Sequence, residues 1–158
     1  MNNRLVLLLA AFFLLRVSAQ AADAPAVETL QIDGKTVTPA RYAKAFIGPG
    51  NVRVDIGPYS GIKGDGAILV FHGIESEWDG KAINHRMEEA AYHGIRYVTQ
   101  RGTHPWVTLV SRKDNRGEER WDLYVPGVKD SIQLVPSDGA SQALSPKAIL
   151  QDYQRQPK

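Results

Sequence analysis

The sequence contains no cysteine in its 158 residues. This absence excludes disulfide bonds, thiolate metal ligands and cysteine nucleophiles. Small exported domains often depend on disulfides for stability. A chain without them must be stabilised by burial of its apolar side chains, and a chain of this length can achieve that as one domain.

Long apolar runs are scarce as well, and the longest lies near the N-terminus. Residues 5–15 are all apolar, follow Arg4, and precede the small residues Ala19 and Ala21. The run is shorter than the roughly 20 residues that a transmembrane helix needs, so the pattern is that of a cleavable leader. The sequence therefore predicts a signal peptide over residues 1–21 and a periplasmic or secreted protein.

An excess of one charge is missing from the rest of the chain. The sequence has 19 Lys and Arg against 17 Asp and Glu, and the surplus is Arg4 and Arg16 of the leader. Residues 22–158 are therefore balanced at 17 against 17. Balanced charge gives no support for a nucleic-acid partner. No later apolar run is long enough to cross a bilayer, so we expect no integral membrane segment after cleavage of the leader.

The remaining chain has the pattern of short strands separated by turns. Residues 22–28 are rich in alanine and proline and predict a disordered exit segment, whereas residues 29–158 predict a single domain. Val52, Val54 and Ile56 alternate with charged residues, as in a half-buried strand. The continuous apolar run 67–71 indicates a strand that is covered on both faces. The predicted fold is α+β and β-rich, with an antiparallel meander or partial barrel.

Two peripheral helices are predicted beside these strands. Pro39 can begin a short helix at residues 40–46, because proline is favoured in the first turn. Ser145 followed by Pro146 has the pattern of an N-cap and first helical residue. The sequence therefore predicts a second helix near residues 145–153.

Residues 81–92 allow two interpretations. Ile83 and Met87 follow helical spacing, which favours a helix. The turn-forming pair Asp79-Gly80 precedes them, which favours a strand that leaves a hairpin. The turn signal favours the strand.

Residues 57–66 contain four of the 14 glycines and predict a loop between two strands. Glycine-rich phosphate loops lead into a helix and carry Ser or Thr after their lysine. Here the segment is followed by a predicted strand, and the residue after Lys63 is a glycine rather than Ser or Thr. The pattern therefore indicates a connection beside a binding site, with Tyr59 and Lys63 as candidate binding residues.

The segment 75–79 combines a tryptophan with three acids beside a turn. Glu75, Glu77, Trp78 and Asp79 are candidate binding residues for a cationic partner surface, since tryptophan often anchors protein interfaces. Two alternatives stay open. Trp78 could close the core, and the Glu75/Glu77 pair could perform acid–base catalysis in a hydrolase.

The histidines lack the short spacings that many metal sites use. His72 and His85 are the candidates for a metal held near the acidic segment, because a hairpin could bring them together. Their separation of 13 residues and the absence of cysteine predict no resident metal or cofactor.

These observations favour an exported binding or inhibitory protein over an enzyme. No serine lies in a Gly-x-Ser-x-Gly elbow. We expect a protein partner in the cell envelope, such as a hydrolase or a toxin, that is contacted by the loops at 57–66 and 75–81. The alternatives are a carrier of a small ligand or metal at the barrel mouth, and the hydrolase named above.

Overall fold

The computed structural model describes residues 28–113 and 116–157, so the predicted leader and residues 22–27 of the exit segment lie outside it. The described residues form ten strands and two α-helices. The strands are β1 Leu30–Ile32, β2 Lys35–Pro39, β3 Lys44–Ile47, β4 Arg53–Gly61, β5 Gly66–His72, β6 Ala82–Ala90, β7 Gly94–Arg101, β8 His104–Lys113, β9 Glu119–Leu123 and β10 Ile132–Pro136; the helices are α1 Asp138–Gln142 and α2 Pro146–Arg155.

Strands β3 to β10 form a closed eight-stranded barrel in chain order. Each strand pairs antiparallel with the next, and β10 returns to pair with β3, where Val135 lies opposite Ile47. The predicted β-rich single domain and antiparallel meander are confirmed. The barrel is closed rather than partial, because β10 supplies the last edge pairing.

Aromatic side chains pack the interior of this barrel. Phe46 and Trp121 lie with ring centroids 4.6 Å apart, and Phe71 and Trp78 lie 5.5 Å apart. These rings and Tyr97 belong to one buried cluster. An eight-stranded barrel can either hold a small ligand or fill its interior with side chains. The interior of this barrel is filled with side chains.

A second apolar cluster lies outside the barrel, where the β1–β2 hairpin and α2 cover β4 and β5. Ile68 of β5 points outward against Ile149 and Leu150, while its neighbour Leu69 points into the barrel. The prediction that residues 67–71 are covered on both faces is therefore confirmed. Gly57 permits the close approach of α2, since a Cβ there would lie 2.8 Å from a methyl of Ile149.

The C-terminal helix is confirmed, and Ser145 caps it by accepting a hydrogen bond from the backbone N–H of Ala148. The predicted helix at 40–46 is wrong. Residues 44–47 are strand β3, which pairs with β4 on one side and with β10 on the other. These two strand pairings supply hydrogen-bond partners for the backbone N–H and C=O groups of β3 and bury Phe46 inside the barrel. An isolated helical turn would achieve neither.

The interpretation of residues 81–92 as a strand is confirmed, because β6 runs to Ala90 before a short 3₁₀ turn. The predicted loop 57–66 is shorter than expected. β4 continues to Gly61 and β5 begins at Gly66, which leaves residues 62–65 as the loop. Within the described ranges, no helix has the length and apolar character needed to span a bilayer.

Candidate functional site

The predicted binding residues fall at opposite ends of the barrel. Strand β5 has seven residues and separates the loop at 62–65 from the loop at 73–81. At about 3.3 Å per residue, the two loops are roughly 20 Å apart along the strand. The structure therefore does not bring Tyr59 and Lys63 together with the acidic segment, and the two groups form separate candidate sites.

Trp78 does not have the exposure that the prediction of a surface anchor required. Its side chain is only 7% exposed and belongs to the interior cluster. It packs edge-on against Trp106 at 6.4 Å and closes the barrel end. The alternative interpretation, in which Trp78 closes the core, agrees with this burial.

Trp106, rather than Trp78, is the tryptophan that is partly exposed at this end of the barrel. The sequence pattern places this residue within a strand and suggests a core position, but its ring is half-buried at the barrel rim. Its Nε1–H donates to the carbonyl oxygen of Tyr124 at 3.0 Å, and the Arg101 guanidinium carbon lies 5.3 Å from the centroid of the Trp106 ring. Trp106 lines a concavity of about 360 Å³ with Pro105 and Val107. The turn after Arg101 was the available signal, because residues beside a turn lie at the rim.

The acidic segment adjoins this concavity. An ion pair of 3.6 Å joins Glu77 to Arg101, and both residues line a neighbouring concavity of about 400 Å³ together with Glu75. Ser76 fixes the loop by donating its hydroxyl hydrogen to the carbonyl oxygen of Pro126 at 2.7 Å. We refer to the group Glu75, Glu77, Arg101, Trp106 and Tyr124 as the rim surface.

Asp79 has a local structural role beneath the rim surface. Its carboxylate accepts a hydrogen bond from the backbone N–H of Ile74 at 3.2 Å. Glu75 and Glu77 are both exposed. Neither carboxylate therefore lies in the apolar, water-excluded pocket that a general acid usually occupies, and the geometry gives no support to the hydrolase alternative.

The structure does not bring His72 and His85 together. His72 is exposed on the outer face, 3.3 Å from Asp55, whereas His85 lies inside the barrel. The ring nitrogens of His85 are hydrogen-bonded to the carbonyl oxygen of Ile83 and the hydroxyl of Thr108, both at 2.9 Å. Burial lowers the pKa of His85 to about 4. In the part of the chain that the structure describes, no three His, Asp or Glu side chains are grouped as metal ligands.

At the opposite end, Tyr59 belongs to a hydrogen-bonded chain on the outer face. Its hydroxyl donates to Asn84 at 2.6 Å, the Asn84 amide donates to Asp33 at 2.7 Å, and the Tyr153 hydroxyl donates to the same carboxylate. Burial is the main cause that raises the pKa of both phenols. These hydrogen bonds thus fix the positions of β4, β6, α2 and the β1–β2 turn relative to one another.

Lys63 lies beside this chain and lines a concavity of about 310 Å³. Lys35, Tyr59 and Arg86 line the same concavity and also a neighbouring one of about 460 Å³. Gly66 leaves space for the Tyr59 side chain, because a Cβ there would lie 2.4 Å from the phenol oxygen. Sequence reasoning missed Lys35 and Arg86, which come from different strands and show no common motif.

No protein-family model, curated protein or solved structure matches this chain. The candidate sites are therefore defined by the geometry of the two ends of the barrel.

Proposed function

We propose that this protein binds another protein through the rim surface and acts as an exported binding or inhibitory protein. The observation that carries the proposal is the position of Arg101, which contacts both the Trp106 ring and the Glu77 carboxylate. This contact joins the aromatic concavity and the acidic loop into one surface. Tryptophan, tyrosine and arginine are the residues that most often dominate the energy of protein interfaces.

The packed interior favours a protein partner over a small ligand carried inside the barrel. Leu109, Phe71 and Trp121 are among the side chains that fill the interior, and each is at most 3% exposed. A ligand at the barrel mouth would have to displace Trp78, which packs against both Phe71 and Trp106. An external surface can bind its partner without that cost.

The rim surface also indicates the chemistry of the partner. The concavity at Trp106 suits an apolar side chain, since it is walled by Pro105, Val107 and Val110. Glu75 is exposed beside it and forms no ion pair with any described residue, so it can receive a lysine or arginine. A partner loop that carries one cationic and one apolar side chain could contact both Glu75 and the concavity at Trp106. With the predicted leader, this favours an envelope hydrolase or toxin as the partner.

Capture from an envelope extract followed by an affinity measurement tests the proposal. The wild type is expected to retain a specific protein that Trp106→Ala loses. With the purified partner, Trp106→Ala is expected to weaken binding by about 30-fold, the effect of losing roughly 2 kcal/mol at an interface hot spot. Glu75→Lys is expected to slow association, because it reverses the local charge.

Tyr42→Ala is the matched control. Tyr42 is 69% exposed and packs with Arg41 at 5.1 Å, so it is also an aromatic–arginine pair, but it lies outside the rim surface. We expect this variant to bind like the wild type. Equal binding by folded Trp106→Ala and Tyr42→Ala proteins would refute the assignment of the rim surface.

A further inference from the structure

The concavity at the Lys63 end collects positive charge from three separate elements. Lys35 comes from β2, Lys63 from the loop 62–65 and Arg86 from β6. A single carboxylate, Asp65, lines the same space. We refer to these four residues and Tyr59 as the cationic cleft. Three cations against one acid give the lining of the cleft an excess of positive charge, although residues 22–158 as a whole are balanced at 17 against 17.

The cationic groups are available to a ligand. Lys35 and Lys63 make no ion pair or hydrogen bond with the described residues. Arg86 donates from Nε to Glu88, which also accepts from Arg96, so the terminal nitrogens of Arg86 are left for another acceptor. Like charges that share a concave site repel one another, and a bound anion relieves that repulsion.

The cleft has backbone walls that let a compact anion approach. Gly34, Gly61 and Gly64 line it without side chains, and Gly34 and Gly64 have φ values of +74° and +109° that favour glycine. The Tyr59 ring forms another wall and is fixed by its 2.6 Å hydrogen bond to Asn84. The walls of the cleft are therefore positioned before any ligand binds.

We propose that the cationic cleft binds a phosphate group, carried either by a soluble molecule or by a lipid headgroup. Arginine presents paired N–H donors to phosphate oxygens, and lysine supplies a mobile point charge. This site differs from a phosphate loop, because side chains from three elements supply the charge and no helix N-terminus takes part. It is independent of the rim surface at the other end of the barrel.

The two sources of phosphate make different demands on Ile62. This side chain is 97% exposed at the tip of the loop, next to Lys63. Proteins that lie on membranes combine apolar side chains that enter the headgroup layer with cations that contact anionic lipids. A phosphate on a lipid therefore uses Ile62, whereas a soluble phosphate does not.

Calorimetric titration with inorganic pyrophosphate tests the site on the purified protein. Lys35→Gln and Lys63→Gln are each expected to weaken binding by about fivefold, the effect of roughly 1 kcal/mol per partly exposed charge. Lys129→Gln is the matched control, since Lys129 is exposed and outside the cleft. All three variants should keep the wild-type unfolding temperature, because the changed side chains have no described partner.

Vesicle sedimentation then distinguishes the source. Binding to vesicles with phosphatidylglycerol, but not to pure phosphatidylcholine, with loss in both Ile62→Ser and Lys63→Gln, identifies a lipid phosphate. Pyrophosphate binding that Ile62→Ser leaves unchanged, without vesicle binding, identifies a soluble ligand. Failure of both probes to bind, or equal effects of Lys63→Gln and Lys129→Gln, would overturn the proposal. Neither result depends on Trp106, so the rim surface is tested separately.

Discussion

The two apolar clusters differ in composition and in the candidate site that each supports. The interior cluster is rich in large rings and places Trp78 directly beneath Trp106 of the rim surface. The outer cluster is mainly aliphatic and holds α2 and the β1–β2 hairpin against β4 and β5. Strand β5 contributes to both, with Leu69 inside and Ile68 outside. One strand that is apolar on both faces thus connects the barrel with the layer that shapes the cationic cleft.

The largest effect is expected from removal of an interior ring. Trp121 is 3% exposed and contacts Phe46 and Tyr97. Trp121→Ala should lower the free energy of unfolding by about 4 kcal/mol, because it removes a large buried side chain and leaves a cavity. Urea denaturation measures this loss. Trp106→Ala is the comparison at the half-exposed rim, and an equal loss in both variants would contradict the distinction between interior and rim.

Acid should weaken the interior through His85. Its folded pKa is about 4, while an ordinary histidine has a pKa of 6.5. Between these pH values the unfolded chain binds a proton that the folded chain does not, so stability is present above pH 6.5 and decreases as the pH falls. The loss approaches about 3 kcal/mol, at roughly 1.4 kcal/mol for each unit of pKa shift.

His85→Gln isolates this contribution, since glutamine can keep a hydrogen bond to Thr108 but does not titrate in this range. Urea denaturation at several pH values between 7 and 4 should give a smaller decrease for the variant than for the wild type. Parallel pH profiles for the two proteins would show that His85 is not the group responsible.

A smaller loss is expected in the outer layer. Leu150 of α2 is fully buried in the outer cluster, and Leu150→Ala should cost about 2–3 kcal/mol, at the low end for such changes because a peripheral helix can shift to close the gap. The near-ultraviolet circular dichroism of the tryptophans should stay unchanged, since Trp78 and Trp121 lie in the other cluster. Loss of that signal at equal folded fraction would mean that the two clusters are not separable.

The smallest effect is expected at the hydrogen bond between α2 and the β1–β2 turn. Tyr153→Phe removes the hydroxyl that donates to Asp33 at 2.9 Å and should cost about 1 kcal/mol. Gln154→Ala is a suitable comparison, because the Gln154 amide donates to the carbonyl oxygen of Gln31 in the same hairpin. Amide hydrogen exchange in residues 30–37 should increase in both variants, whereas exchange in the interior strands should not.

Local patterns predicted the parts of the fold that depend on neighbours in the chain. The strand predicted after the Asp79-Gly80 turn is present as β6, and Ser145 caps α2 as expected. The helix predicted at 40–46 failed for a non-local reason. Its residues gain two strand partners, one of which is β10, nearly 90 residues later in the chain.

The candidate sites show the same limit. Glu75 and Glu77 were predicted because they flank a tryptophan beside a turn, and Tyr59 and Lys63 from the glycine-rich segment. The neighbouring residues Arg101, Lys35 and Arg86 could not be inferred. Those residues come from other strands. Pairing within the barrel positions Arg86 of β6 and Arg101 of β7, and pairing of the outer strand β2 with β4 positions Lys35. The roles of Trp78 and Trp106 also depend on closure, because both lie beside turns and only the packed interior decides which ring is covered.

By itself, the sequence determined a cysteine-free, β-rich domain, because composition and period-two alternation are local properties that need no distant partner. Tertiary structure alone decided that the barrel closes, that the two predicted loops lie at opposite ends, and that separate cationic residues share one cleft. These features depend on pairings between residues far apart in the chain, which β5 and β10 fix through their registers with neighbouring strands.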